Sequence, residues 1–203
     1  MRLLALAAIA LLTPSLMLAQ AHWPADQFGH QLVPGTPTTA PSCRSVTPVL
    51  TADSLGPLRP GMSVSQLLRA CPSATLGWHF EEGIAQPAAA VRIGRVPAYA
   101  MLEDTAGIKA RIYRIMTADT TARTSDGFGP GLLIHKMIAA WGTPTLGAAE
   151  CALYASWPRR SHISWIVEYP QNWDCTRLER FVVDSAPNHL PASLRAGIAI
   201  LAK

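Results

Sequence analysis

The sequence predicts an α+β fold in which a short helix followed by a three- to four-stranded antiparallel sheet occurs twice in tandem. Three observations lead there. The chain matches itself at one constant offset: Pro60-Gly61 aligns with Pro130-Gly131, and Thr75-Leu76-Gly77 with Thr145-Leu146-Gly147. Apolar positions follow the same offset, Met62 with Leu132, Val64 with Ile134, Leu67 with Met137 and Leu68 with Ile138. Each copy opens with helix start and stop signals and continues into extended, turn-punctuated runs.

The elements are taken in chain order. Arg2 precedes the apolar run Leu3 to Leu12, which Thr13-Pro14-Ser15 breaks, and Ala19-Gln20-Ala21 has the small-x-small pattern of a cleavage site. So short a run cannot cross a hydrocarbon core of ~30 Å as a helix, which needs about 20 residues. Residues 1–21 therefore read as a signal peptide cut after Ala21. No cysteine stands there to take a lipid anchor, and no later run is apolar for long enough to span a membrane, so no stable membrane insertion is expected. Residues 22–42 carry Pro24, Pro34, Pro37 and Pro41 among small and polar residues and read as a flexible or extended leader.

The first half is placed at 43–118. Ser63, followed three residues later by Gln66, makes a capping box: the serine hydroxyl accepts the Gln66 N–H and the Gln66 amide accepts the Ser63 N–H. Val64, Leu67, Leu68 and Cys71 then mark one buried helical stripe, which Pro72 ends. Extended runs follow at Ala89 to Ile93, Ala98 to Glu103 and Ile108 to Thr117. Residues 119–130 are polar and turn-rich and read as a linker. In the second half, 131–203, Leu133 and Lys136 replace the capping pair, Ile134, Ile138 and Trp141 form the stripe, and Gly142-Thr143-Pro144 ends the helix. Its extended runs are Cys151 to Trp157, His162 to Tyr169 and Arg180 to Asp184, the first two joined through Pro158-Arg159-Arg160-Ser161 as a hairpin. The tail from Leu190 fits either a helix or a strand.

Composition narrows the function. Charged residues make up 15% and apolar ones 49%, so the mature chain can bury a core and is not disordered. The net charge of +4 is spread over scattered arginines, with Arg159-Arg160 as an adjacent pair, and an exported protein with no basic stripe is not expected to bind nucleic acid. Cys43, Cys71, Cys151 and Cys175 form an even set without a C-x-x-C pair, which points to disulfides in an oxidising periplasmic or secreted setting. Three pairings can be drawn. The tandem repeat favours Cys43–Cys71 with Cys151–Cys175, since it puts one pair in each half.

The run Pro60-Gly61-Met62-Ser63-Val64-Ser65-Gln66-Leu67-Leu68 and the later Met137-Ile138-Ala139-Ala140-Trp141-Gly142-Thr143-Pro144 together resemble the motif of the beta-lactamase-inhibitor-like superfamily. Its members include secreted beta-lactamase inhibitor proteins and small outer-membrane-assembly lipoproteins, and the inhibitor proteins are similar in having two helix-plus-sheet halves with one disulfide in each. The resemblance runs from Leu58 to Asp184 and implies a fold and a general binding role. It departs at Cys71-Pro72, where Gly-x-Pro is the pattern, and in the second copy, which lacks Met-Ser.

Motifs for chemistry are sparse. His79, Glu81 and Glu82 lack metal-ligand spacing and read as a solvated turn, so no metal or cofactor is expected. No G-x-S-x-G elbow occurs, and Gly127-Phe128-Gly129-Pro130-Gly131 lacks the Gly-Lys-Ser/Thr end of a phosphate loop. Asp119, Asp126 and Glu103-Asp104 do not alternate as a calcium loop does. Aromatic residues are the richer set: Trp165 and Tyr169 read as core, while Tyr113, Tyr154 and above all Trp157 with Arg159 and Arg160 at the hairpin tip read as a contact surface for a protein partner. Two function classes follow. One is an exported, disulfide-bonded binding module; the other is a small periplasmic hydrolase with a site assembled from dispersed residues such as His79, Glu81 and Asp126.

Overall fold

The structure is a computed structural model that describes residues 31–32, 43–44, 47–81, 84–103, 109–149, 151–159, 162–168, 174–184, 190–191 and 193–202. The signal peptide expected at 1–21 lies outside these residues, as does most of the leader.

A nine-stranded sheet dominates. After β1 (Gln31–Leu32) and β2 (Val49–Leu50) come helix α1 (Val64–Ala70) and strands β3 (Thr75–Glu81), β4 (Ile84–Ile93), β5 (Val96–Leu102) and β6 (Ile112–Thr117). Strand β7 (Arg123–Thr124) pairs in parallel with β2 outside the main sheet. The chain continues with α2 (Ile134–Trp141), β8 (Thr145–Ala149), β9 (Ala152–Ser156), β10 (Ile163–Glu168), helix α3 (Cys175–Asp184) and β11 (Arg195–Ala202). The sheet order is β1-β3-β4-β5-β6-β11-β10-β9-β8, so the last strands of the two halves meet in the middle. All neighbours are antiparallel except β1, which runs parallel to β3 through Gln31 opposite Trp78 and Leu32 opposite His79.

Local chemistry sets the helices. Ser63 caps α1 as the sequence predicts, its hydroxyl accepting the Gln66 N–H while its own N–H donates to Gln66 Oε1 at 2.8 Å. Leu133 begins α2 in the same extended backbone conformation but supplies no side-chain cap. The entry to each helix is otherwise bonded alike. Gly61 N and Val64 N donate to Ile112 O and Ala110 O, and Ile112 N donates back to Met62 O; Gly131 N and Ile134 N donate to Ala196 O and Leu194 O, and Ala196 N donates back to Leu132 O. Gly61 and Gly131 hold φ of 88° and 83°, a left-handed turn that a Cβ would strain. Arg111 Nη1 and Arg195 Nη1 donate to the carbonyls of Gly61 and Gly131, at 2.8 and 3.1 Å. Two bulges also match: Tyr113 is the extra residue where β6 meets β5, and Gly197 the extra residue where β11 meets β10.

One face of the sheet packs against α1 and α2 around Val64, Leu67, Ala100, Ile115, Ile134, Trp165 and Leu201. Burial follows strand alternation, as in β10, where Ile163, Trp165 and Val167 are buried between less buried neighbours. Two disulfides join Cys43 to Cys71 and Cys151 to Cys175, one in each half of the chain, as the tandem reading expects. Closing loops of 28 and 24 residues stabilises the fold by about 3.5 kcal/mol each in the chain-entropy model.

Three expectations change. The run Arg180 to Asp184 is the end of helix α3, not a strand; Asp174 precedes the helix and accepts the Arg177 N–H at 2.7 Å, an N-cap that outweighs the β-preference of Phe181, Val182 and Val183. The segment around His79 and Glu81 is strand β3, not a solvated turn. Pro87 lies inside β4 without breaking it, because the pairing of β4 with β5 starts only at Ala88 opposite Met101. Thr145 to Ala149 adds a further strand, β8, and the undecided tail is β11.

Candidate functional site

Trp157 follows β9, and its parity with the buried Leu153 and Ala155 turns the indole toward the helices. It is 3% exposed, and Nε1 donates to Gly142 O at 2.7 Å. This corrects its reading as an exposed contact residue: a ring on the core face of the strand is buried by α2. Trp157 is a wall of the site. Replacing it therefore carries a folding cost that the sequence reading did not include.

The ring belongs to a row of aromatic contacts. Trp157 meets Trp141 edge-on at 5.5 Å, and Trp141 meets Phe128 at 4.6 Å, both T-shaped. Such pairs each contribute roughly 1 kcal/mol beyond burial. Trp141 Nε1 donates to Asp126 Oδ2 at 3.2 Å, which fixes the indole over the linker turn. Beside this row lies an open groove of about 540 Å³, lined by Trp141, Thr143, Thr145, Trp157, Pro158 and Arg159. The last turn of α2, the start of β8 and the turn after β9 thus converge. Arg159 is exposed and is the charged residue among these lining groups. Arg160 lies outside the described residues.

Tyr113 and Tyr154 occupy the other face of the sheet. A second apolar cluster there is built on Ala88, Ala90, Tyr99, Met101, Met116 and Ile200, with Tyr113, Tyr154, Ile166 and Ile198 half-buried around it. The Tyr113 hydroxyl donates to Gln86 Oε1, and the Arg114 guanidinium lies 5.5 Å from the Tyr113 ring. Tyr154 stands opposite Gly147, which leaves open space where a Cβ would be. His79 shares this face, 5% exposed and 6.0 Å from Tyr99. Asp126 instead bonds Trp141 on the helix side, so His79 and Asp126 of the dispersed hydrolase set are divided between the two faces. A smaller hollow of about 290 Å³ is lined by Asp53, Arg59, Pro60, His162 and Leu201.

Of the sequence-predicted contact residues, the structure brings Trp157 and Arg159 together at the groove and puts Tyr113 and Tyr154 elsewhere. Trp141, Thr143 and Thr145 were missed. The available signal was Gly142-Thr143-Pro144, which ends α2 and so presents the two threonines to the same turn.

No family model matches the chain, and no curated protein matches it. A solved structure of the uncharacterised protein YfeY from Escherichia coli is similar, at 14% identity and a TM-score of 0.48, covering 81% of this chain and 100% of that one. A likeness so distant says nothing of function. The two disulfides fit a periplasmic or secreted protein, and among the described residues no helix is long and apolar enough to cross a membrane.

Proposed function

We propose that this chain is an exported binding module, freed of its signal peptide after Ala21, that captures a protein partner in the cell envelope or outside the cell. The groove beside Trp141 and Arg159 carries the reading. It joins an aromatic wall, hydroxyl groups and an exposed guanidinium at one open place, the residue types that anchor protein interfaces. The hydrolase alternative has less support, because His79 and Asp126 lie on opposite faces of the sheet.

In the same reading, the two halves are copies of one unit, related to the beta-lactamase-inhibitor-like superfamily. Support comes from the matched helix entries, the paired Arg-to-Gly carbonyl bonds and the corresponding bulges. The central seam adds to it. Exchanging the halves carries the pair Leu201–Ile115 onto Ala199–Thr117 and returns Met116–Ile200 to itself, as a local two-fold axis would.

Affinity capture tests the binding role. Arg159→Glu, a change at an exposed turn, is expected to retain the fold and lose most of the partner captured from envelope extract by the mature protein. Equal recovery by the variant refutes the groove as the contact site.

A further inference from the structure

The groove opens onto strand β8, against which helix α3 lies and whose outer side pairs with no other strand among the described residues. Strand β8 ends the sheet, and Ala149 faces Ala152 across the two-residue turn to β9. That closing pair is hydrogen-bonded, so Gly147 and Thr145 bond to β9 as well, while Leu146 and Ala148 aim their N–H and C=O groups away from it. Among the described residues those outward groups have no hydrogen-bond partner. The strand reads Thr-Leu-Gly-Ala-Ala, without the lysine, proline or bulge that blunts an edge.

The opposite end of the sheet shows how such an edge is used. There β3, the first strand of the other half, pairs with β4 on one side, and on its other side Trp78 stands opposite Gln31 of the added strand β1. The groove end of β8 is chemically distinct from its other end. Thr145 begins the strand, and Arg159 shares the groove with it. A strand laid antiparallel on β8 therefore finishes at Thr145, with its C-terminus in the groove.

We propose that the free edge of β8 takes up the extended C-terminal segment of a partner protein, antiparallel to β8, through the outward groups of Leu146 and Ala148. The last side chain of that segment lies against Trp141, and its terminal carboxylate pairs with Arg159. Charge complementarity selects this occupant: among the described lining residues a guanidinium is the charged group beside aromatic rings, hydroxyls and a proline, and a carboxylate is its planar match. The proposal rests on the binding reading above and names its partner class.

A library of extended hexapeptides with an apolar last residue, presented to the purified mature protein as free acids and as C-terminal amides, tests it. Free acids are expected to bind at least ~10-fold tighter than the matching amides, the usual weight of a charge-assisted bond. Arg159→Ala is expected to erase that difference. Ala148→Pro, which deletes an outward donor on an edge strand, is expected to weaken every peptide. N-methylation of the peptides at alternate positions gives the same information without altering the protein: one parity abolishes binding and the other does not. Equal affinity for acid and amide, indifference to N-methyl parity, or no binding by the library overturns the proposal. So does a dimer in sedimentation that Ala148→Pro dissolves, since a second copy then fills the edge. If extract capture still depends on Arg159 while the peptides fail, the binding module stands and the C-terminal mode falls.

Discussion

The indole of Trp157 donates to Gly142 O, and this bond ties the turn after β9 to the residue that ends α2. Both segments line the groove, so its shape depends on one side chain that is itself almost wholly buried. Trp157→Phe keeps an aromatic ring and removes the donor. It is expected to lower stability by about 1–2 kcal/mol, from the lost hydrogen bond and the smaller aromatic edge. Arg159→Glu, in the same turn but exposed, is expected to shift stability by less than ~0.5 kcal/mol. Urea unfolding of both variants checks the contrast, and an unchanged midpoint for Trp157→Phe would show the bond to be idle. Burial of Trp157 was legible in the sequence, since Leu153, Ala155 and Trp157 share one strand parity. Its position next to Pro158 and two arginines masked that signal, because charge and a turn residue outline a loop without saying which way the preceding ring points.

At the scale of elements, α1 and α2 were legible because their start signals are local. Ser63 and Gln66 satisfy one another within four residues, independent of anything distant. Ser63→Ala is expected to cost about 1 kcal/mol, read as a lower denaturation midpoint at constant slope. An unaltered midpoint would mean that the contacts of Val64 and Leu67 hold the helix start unaided. Strand β8 was not legible, since Thr145-Leu146-Gly147-Ala148-Ala149 contains weak strand formers, and pairing with β9 decides its state. Helix α3 failed in the opposite sense. Phe181, Val182 and Val183 carry β-preference, and the cap that overrules them, Asp174, lies several residues upstream.

Across the whole molecule, the two disulfides differ in setting although their loops are similar in length. Cys71 is fully buried and Cys43 7% exposed, whereas Cys151 and Cys175 are both exposed. A mild dithiol is expected to reduce Cys151–Cys175 first, leaving Cys43–Cys71 closed until global unfolding. Mass spectrometry after thiol alkylation reads the order, and simultaneous reduction would contradict it. The pairing was accessible from the sequence because Cys43 and Cys71 are close in the chain, as are Cys151 and Cys175, and each bonds its near neighbour. The joining of β6 to β11 was not, since no local pattern states which strands meet across the middle of a sheet.

That seam fixes the timing of assembly. Arg195–Ala202 is inserted between β6 and β10, both synthesised well before it. Until this late segment is available, the four strands β3 to β6 and the three strands β8 to β10 each keep an open flank. The stretch that completes the architecture is the last of the strands to emerge, so any holding factor that shields nascent chains from mispairing would matter most just before release.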